Sequence, residues 1–161
     1  MTKKDAAPER ESGAAKYFAA EHAEDSAEVS AQASIVHQDD YPKFEIAQGV
    51  IFCPVAGSNL SLNFVTFPPN SGFPSHVHAE EQISIVREGG MEITIQGDPR
   101  IVRAGDVIIF PPNVSHSGRT FDQMCRLIDI FAPPRQGMDE LIANANPVRS
   151  AEIDRWWRED Q

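Results

Sequence analysis

Gly72-Phe73-Pro74-Ser75-His76-Val77-His78-Ala79-Glu80-Glu81-Gln82, and then Gly105-Asp106-Val107-Ile108-Ile109-Phe110-Pro111-Pro112-Asn113-Val114-Ser115-His116, are the two stretches of this 161-residue chain that decide its fold. In a strand, side chains repeat on one face every two residues, so His76 and His78 are expected to point the same way. Three of the chain's five histidines fall in these two stretches. Imidazole suits first-row divalent metals, and an amide or carboxylate oxygen can complete such a set. Glu80, Glu81 and Gln82 all lie close enough in sequence to supply that oxygen. Glu81 has the opposite strand parity to Gln82, which favours Gln82.

The two stretches resemble the paired motifs of the cupins. The first follows G-x5-H-x-H-x3-E-x6-G, with Gln82 where the motif has Glu and Gly89 at its end. The second follows G-x5-P-x-G-x2-H, with Asn113 where the motif has its last Gly. Only Gln82 keeps the six-residue gap to Gly89. The resemblance implies an all-β fold, the cupin double-stranded β-helix or jelly roll. It also implies one divalent metal ion per subunit, held by His76, His78, Gln82 and His116. Zn, Ni, Mn, Fe and Co all remain open. Three imidazoles and an amide are neutral, so the ion would keep its full double charge. That suits Lewis-acid work on a hydroxyl or carboxylate better than oxidative chemistry.

Composition narrows the classes of function. Net charge is −10, with no basic stripe, which argues against nucleic acid and against anionic membrane surfaces. No apolar run approaches the roughly 20 residues of a membrane span, and the N-terminus lacks the apolar stretch of a secretory signal. A cytoplasmic location is the expectation. The two cysteines, Cys53 and Cys125, are expected to be buried free thiols.

Residues 1–33 are rich in Ala, Glu and Ser, with Tyr17 and Phe18 as their main large apolar side chains. Such a segment buries too little apolar area to offset its ordering entropy, so a disordered or weakly helical arm is expected there. Residues 34–161 are expected to form a single domain. Its β core should run from about 40 to 135, in short runs at 44–54, 58–67, 81–87, 90–96, 100–102, 106–110 and 124–131, with turns at Gly57-Ser58-Asn59, Pro68-Pro69-Asn70-Ser71-Gly72, Gly89-Gly90, Gly97-Asp98-Pro99 and Gly105-Asp106. In 58–67, Leu60, Leu62 and Phe64 alternate with Ser61, Asn63 and Val65, and in 90–96 Met91, Ile93 and Ile95 alternate with Glu92, Thr94 and Gln96, as in strands buried on one face. Helices are expected at about 138–160. One covers Met138 to Ala145. Another starts from a Ser150 cap and carries Ile153, Trp156 and Trp157 as a stripe at helical spacing. That stripe and the exposed sheet edges lead to the expectation of a homodimer.

The segment Cys125-Arg126-Leu127-Ile128-Asp129-Ile130-Phe131-Ala132-Pro133-Pro134-Arg135 supplies an acid–base candidate. Strand parity puts Asp129 on one face with Leu127 and Phe131. A carboxylate between apolar neighbours either has a partner, Arg135 being one choice, or shifts its pKa and becomes available for proton transfer. The segment is similar to the closing D-x-F-x-P-P-R of the small cupins of pectin and alginate breakdown, the KdgF type. Those proteins also carry H-x-H followed by Gln, and they open 4,5-unsaturated uronates to keto sugar acids. That resemblance implies that Asp129 moves the proton, that Phe131 lines the pocket and that Arg135 pairs with the substrate carboxylate. Two alternatives stay open. One is another cupin enzyme, a metal-dependent dioxygenase or lyase. Cupin lyases acting on dimethylsulfoniopropionate place a Tyr where this chain has Ser84, which disfavours that branch. The other is a non-catalytic module that binds a sugar acid or other small molecule.

Overall fold

Among the described residues, 32–37 and 40–148 of the computed structural model, eleven short strands and one helix follow each other along the chain. The strands are β1 (Phe44–Ala47), β2 (Val50–Ala56), β3 (Ser61–Phe67), β4 (Gly72–His76), β5 (Glu81–Glu88), β6 (Gly90–Ile95), β7 (Asp98–Arg103), β8 (Val107–Phe110), β9 (His116–Arg119), β10 (Cys125–Ala132) and β11 (Asn146–Pro147). The helix, α1, is Met138–Ala143. Seven strands form one sheet in the order β11-β1-β2-β3-β10-β5-β8, and four form a second in the order β4-β9-β6-β7. Every pairing is antiparallel. This is the jelly-roll cupin fold expected from the two motifs.

The core draws on both sheets. Val65, Phe67, Val86 and Leu127 come from the larger one, Met91, Ile93 and Val102 from the smaller. Each such side chain, once fully buried, contributes about 1.5–3 kcal/mol. The motif glycine Gly89 sits at φ 66°, and a Cβ there would run into the Met124 carbonyl. Both facts exclude a larger residue at the β5–β6 turn. Asn113, standing where the second motif has Gly, takes φ 62°. Counted back from His76, the leading glycine of the first motif falls on Asn70 rather than Gly72, and Asn70 also adopts a left-handed φ of 57°. Asn tolerates that region better than most residues, which explains both replacements.

Several expected elements move. The run 44–54 splits into β1 and β2 at Gly49, whose N–H donates to Glu45 Oε1 at 2.6 Å. β7 begins at Asp98 and carries Pro99, because it is an edge strand where the missing N–H costs no ladder bond. β4 and β9 were not among the expected strands. β9 reads His-Ser-Gly-Arg, and its conformation is set by pairing with β4 and β6 rather than by its own propensity. In β3 Asn63, Val65 and Phe67 are buried on the inner face, and Leu62, Phe64 and the buried Thr66 lie on the outer one. There Tyr41 stacks on Phe64 at 5.4 Å.

Cys53 and Cys125 are free and buried, as expected, and burial pushes their thiols up to about 11 and about 12. No helix among the described residues is long and apolar enough to cross a membrane. The arm up to residue 31 and the helix expected from Ser150 fall outside the described residues.

Candidate metal and acid–base site

His76 ends β4 and pairs in register with His116, the first residue of β9. His78 lies beyond β4, in the loop before β5, so strand parity is not what brings it to His76. The loop turns it inward instead. One ring nitrogen from each of the three histidines lies within 4.8 Å of the others. Phe110 stacks on His116 at 4.2 Å, and Phe73 and Phe131 meet His76 and His78 edge-on.

Each imidazole is held the same way. His76 Nδ1 lies 3.0 Å from the Pro74 carbonyl, His78 Nδ1 2.9 Å from that of Glu80, and His116 Nδ1 2.8 Å from that of Val114. A carbonyl can only accept, so each Nδ1 carries the proton and each Nε2 keeps its lone pair. Burial first, and then the neighbouring imidazoles, push His116 down to about 4 against the opposing pull of the Val114 carbonyl. It is therefore neutral across the neutral range.

Two observations fit a cation here. His116 Nε2 is buried with no hydrogen-bond partner. Gln82 Oε1 stands 2.9 Å from His78 Nε2, which sets an amide oxygen against an imidazole lone pair. A cation between these atoms makes that approach favourable. Donors of this type suit a first-row divalent metal, and the residues that could hold it are His76, His78, His116 and Gln82. Glu81 is exposed, as parity required, and Glu80 is engaged elsewhere.

From Gln82 a polar chain runs across the inner face of the larger sheet. Gln82 Nε2 donates to Ser84 Oγ at 2.9 Å, and Ser84 Oγ donates to Asp129 Oδ1 at 2.5 Å. Ser84 and Asn63 are the cross-strand neighbours of Asp129. Burial pushes Asp129 up to about 6, and the hydrogen bonds from Ser84 and Gln82 pull it part of the way back. Its carboxylate has no contact with Arg135. Arg135 Nη1 donates instead to Glu80 Oε2 at 3.2 Å and to the Gln136 carbonyl at 3.1 Å. Glu80 is 2 % exposed and also accepts the Gln136 N–H at 2.8 Å. Burial pushes the Glu80 pKa up, but the Gln136 and its own backbone N–H groups, Arg135 and His78 outweigh it and hold the carboxyl below its ordinary value. The Arg135 guanidinium lies 6.0 Å from the centre of the Phe131 ring.

One cavity of about 330 Å³ is lined by His76, Gln82, Ser84, His116, Asp129, Phe131 and Arg135 together. The structure therefore brings together all but one of the singled-out side chains as its lining; the exception, His78, lies behind them against Gln82 and Phe131. Sequence reasoning missed Glu80 as the anchor of Arg135, Ser84 as a link and Asn63 as a buried polar wall. The only signal for Asn63 was a polar residue in an alternating strand, which ordinarily marks a solvent face.

Residues 63–131 match the family model of the Cupin domain. Over 99 residues the chain is 29% identical to the pectin degradation protein KdgF of Dickeya dadantii (strain 3937), covering 60% of this chain and 90% of that protein. Among solved structures, KdgF from Halomonas sp. has a TM-score of 0.62 at 24% identity, covering 66% of this chain and 99% of its own. The polyketide cyclase RemF from Streptomyces resistomycificus has a TM-score of 0.57 at 23% identity, covering 65% and 82%. With the jelly roll and the paired motifs, these likenesses show that residues 63–131 carry a Cupin domain and that the chain has the cupin fold, resembling the KdgF type.

Proposed function

We propose that this cupin holds one divalent metal ion on His76, His78, His116 and Gln82 and opens the ring of a 4,5-unsaturated uronate without redox change. The observation that carries the reading is the meeting, around one cavity, of a three-histidine group with two of its rings in the lining, a carboxylate tuned towards neutrality and a partly exposed arginine. The likeness to KdgF of Dickeya dadantii, a pectin degradation protein, supports the substrate class.

The reaction is a proton relocation. The hemiacetal hydroxyl at C1 loses its proton, the C1–O5 bond breaks, C5 becomes a ketone and C4 gains a proton. A bound metal would supply Lewis acidity to a substrate hydroxyl or carboxylate. Asp129 is the group to move the proton. With a pKa near 6 it is mostly ionised at pH 7, yet acidic enough to give the proton back. Arg135 contacts both of its protein partners through Nη1, which leaves the rest of its fork for a substrate carboxylate. Phe131 limits where that carboxylate can lie.

A second reading follows from the wall of the cavity. Phe52, Phe67, Phe73, Phe110 and Leu127 form much of it, which would suit a carboxylic acid with an apolar body in another cupin isomerase, lyase or dioxygenase. The test is decay of the conjugated enol-ether absorbance of an unsaturated galacturonate, followed with metal-loaded wild type and with His116→Ala. Acceleration over the spontaneous rate by wild type alone is expected. Fully metallated wild type that leaves the rate unchanged would sink the uronate reading and put the second one first.

A further inference from the structure

We propose that Ser84 is a positioning residue: it fixes which end of the Gln82 amide faces the three histidines. The proposal rests on the reading of Gln82 as a metal ligand. An amide has a donor end and an acceptor end of almost the same shape, and only its oxygen can bind a cation. Some other group must therefore choose between them.

The hydrogen bonds around Ser84 make that choice. A hydroxyl has one proton, and Ser84 gives it to Asp129 Oδ1 at 2.5 Å. Its Oγ is left only as an acceptor, and it takes a hydrogen from Gln82 Nε2 at 2.9 Å. The amide nitrogen is thereby turned to the side of Ser84 and Asp129, with Ser84 its nearest acceptor at 2.9 Å, and Oε1 is left facing His78. Every link runs in one direction, from the cation position through amide and hydroxyl to a carboxylate that only accepts. Reversing Gln82 would set its NH₂ among the histidines and its oxygen against the Ser84 oxygen, whose proton is already spent. Ser84 is 2 % exposed on an inner strand face, where a hydroxyl is costly unless both its donor and its acceptor roles are filled. Both are. The residue acts through Gln82 and is not itself a ligand.

The experiment measures Zn²⁺ affinity of the full chain by competition with a chromophoric chelator, in wild type, Ser84→Ala, Gln82→Ala and the double variant. Ser84→Ala is expected to weaken binding by about tenfold or more, the range for partners that orient metal ligands. In the Gln82→Ala background the same change should alter affinity by less than about twofold, since no amide remains to be oriented. Ser84→Thr keeps the hydroxyl and Ser84→Val removes it at equal size, so the pair decides the matter if Ser84→Ala does not fold. Thr should bind close to wild type, and Val should bind as weakly as Gln82→Ala. With Co²⁺, the visible spectra of Ser84→Val and Gln82→Ala should match each other and differ from wild type. Equal losses in both backgrounds, or a Val variant that binds like Thr, would overturn the role of Ser84 and leave the metal site standing. Wild type without measurable affinity would overturn the metal site and this proposal together.

Discussion

One row of the seven-stranded sheet inverts the usual distribution of polarity, on the same inner face that elsewhere packs Val65, Phe67, Val86 and Leu127 into the core. There the inner face carries Asn63, Gln82, Ser84 and Asp129, all buried. The outer face carries Leu62, Phe64, Ile83, Ile85, Ile128 and Ile130, half-buried, together with Val107 and Ile109, which are 58% and 59% exposed. The register aligns them into rows. Leu62, Ile130, Ile83 and Ile109 are successive cross-strand partners, and so are Phe64, Ile128, Ile85 and Val107. In β10 the inversion runs along one strand, where Ile128 and Ile130 face out and Asp129 faces in. A sheet selected for stability alone would be built the other way round. The inner polar row is what a reacting cavity needs, and the outer apolar rows are what a partner surface needs.

The sharpest break of this contrast is Asp129→Asn. Asn keeps an acceptor for Ser84 and nearly the same shape, so fold and metal content should persist. It cannot exchange the proton, so turnover of an unsaturated uronate should fall by about 10²–10⁴-fold. Loss of metal along with activity would mean that the carboxylate acts mainly in holding Gln82.

The same variant sharpens the contrast on the stability side. The folded-state pKa of Asp129 is about 6 against an ordinary 3.8, so the folded chain holds this proton more tightly than the unfolded one. The stability that goes with that proton is present below about pH 4 and is lost as pH rises through 6. Above that range the buried charge is a steady cost of up to about 3 kcal/mol. Asp129→Asn has no such charge. Denaturation of metal-free protein should find the variant more stable than wild type at pH 8 and the gap closing towards pH 4. A gap that is the same at both pH values would remove the charge as its cause.

Glu80 holds the cavity from the side. Its backbone carbonyl accepts from His78, and its carboxylate holds Arg135 and the Gln136 N–H. Glu80→Leu should cost about 1–3 kcal/mol in denaturant unfolding, less than a fully buried pair because Arg135 is partly exposed. It should also weaken substrate binding more than it slows turnover, since Arg135 loses its support while Asp129 is untouched.

The histidine half of the site was legible in the sequence because its geometry is local. Each imidazole is fixed by a carbonyl two residues away, at Pro74, Glu80 and Val114, so the spacing of the motif already contains the arrangement. The carboxylate half was not legible, because its bonds join residues far apart. Ser84 and Asp129 are 45 positions apart, and Glu80 and Arg135 are 55 apart. Parity did put Asp129 on the face of Leu127 and Phe131. It could not say that Ser84 would stand beside it, or that Arg135 would turn to Glu80. The inward side of β3 was misread for a related reason: alternation tells that the two faces differ, and apolar content was taken to mark the inner one. Here the inner face lines the cavity beside the three histidines and the outer face is covered by Tyr41 at one point and apolar at others.

The smallest expected effect on the fold, and the test of the outer face, is the homodimer. β8 is an edge strand whose Val107 and Ile109 are exposed beside the half-buried isoleucines of β5 and β10. Covering such side chains releases about 25 cal/mol for each Å² of apolar surface, and a second copy of the chain offers a matching apolar face about a two-fold axis. Wild type is expected to sediment as a dimer at micromolar concentration. Val107→Glu combined with Ile109→Glu should give a monomer, because two buried carboxylates per subunit, meeting two more, cannot be paired in that interface. Since both side chains already face solvent within one subunit, the monomer should unfold within about 0.5 kcal/mol of wild type extrapolated to the same state. A wild-type monomer would leave the outer rows without a partner of this kind. A dimer that survives both substitutions would move the interface to another face, and the inner face would then differ from the outer one in chemistry but not in assembly.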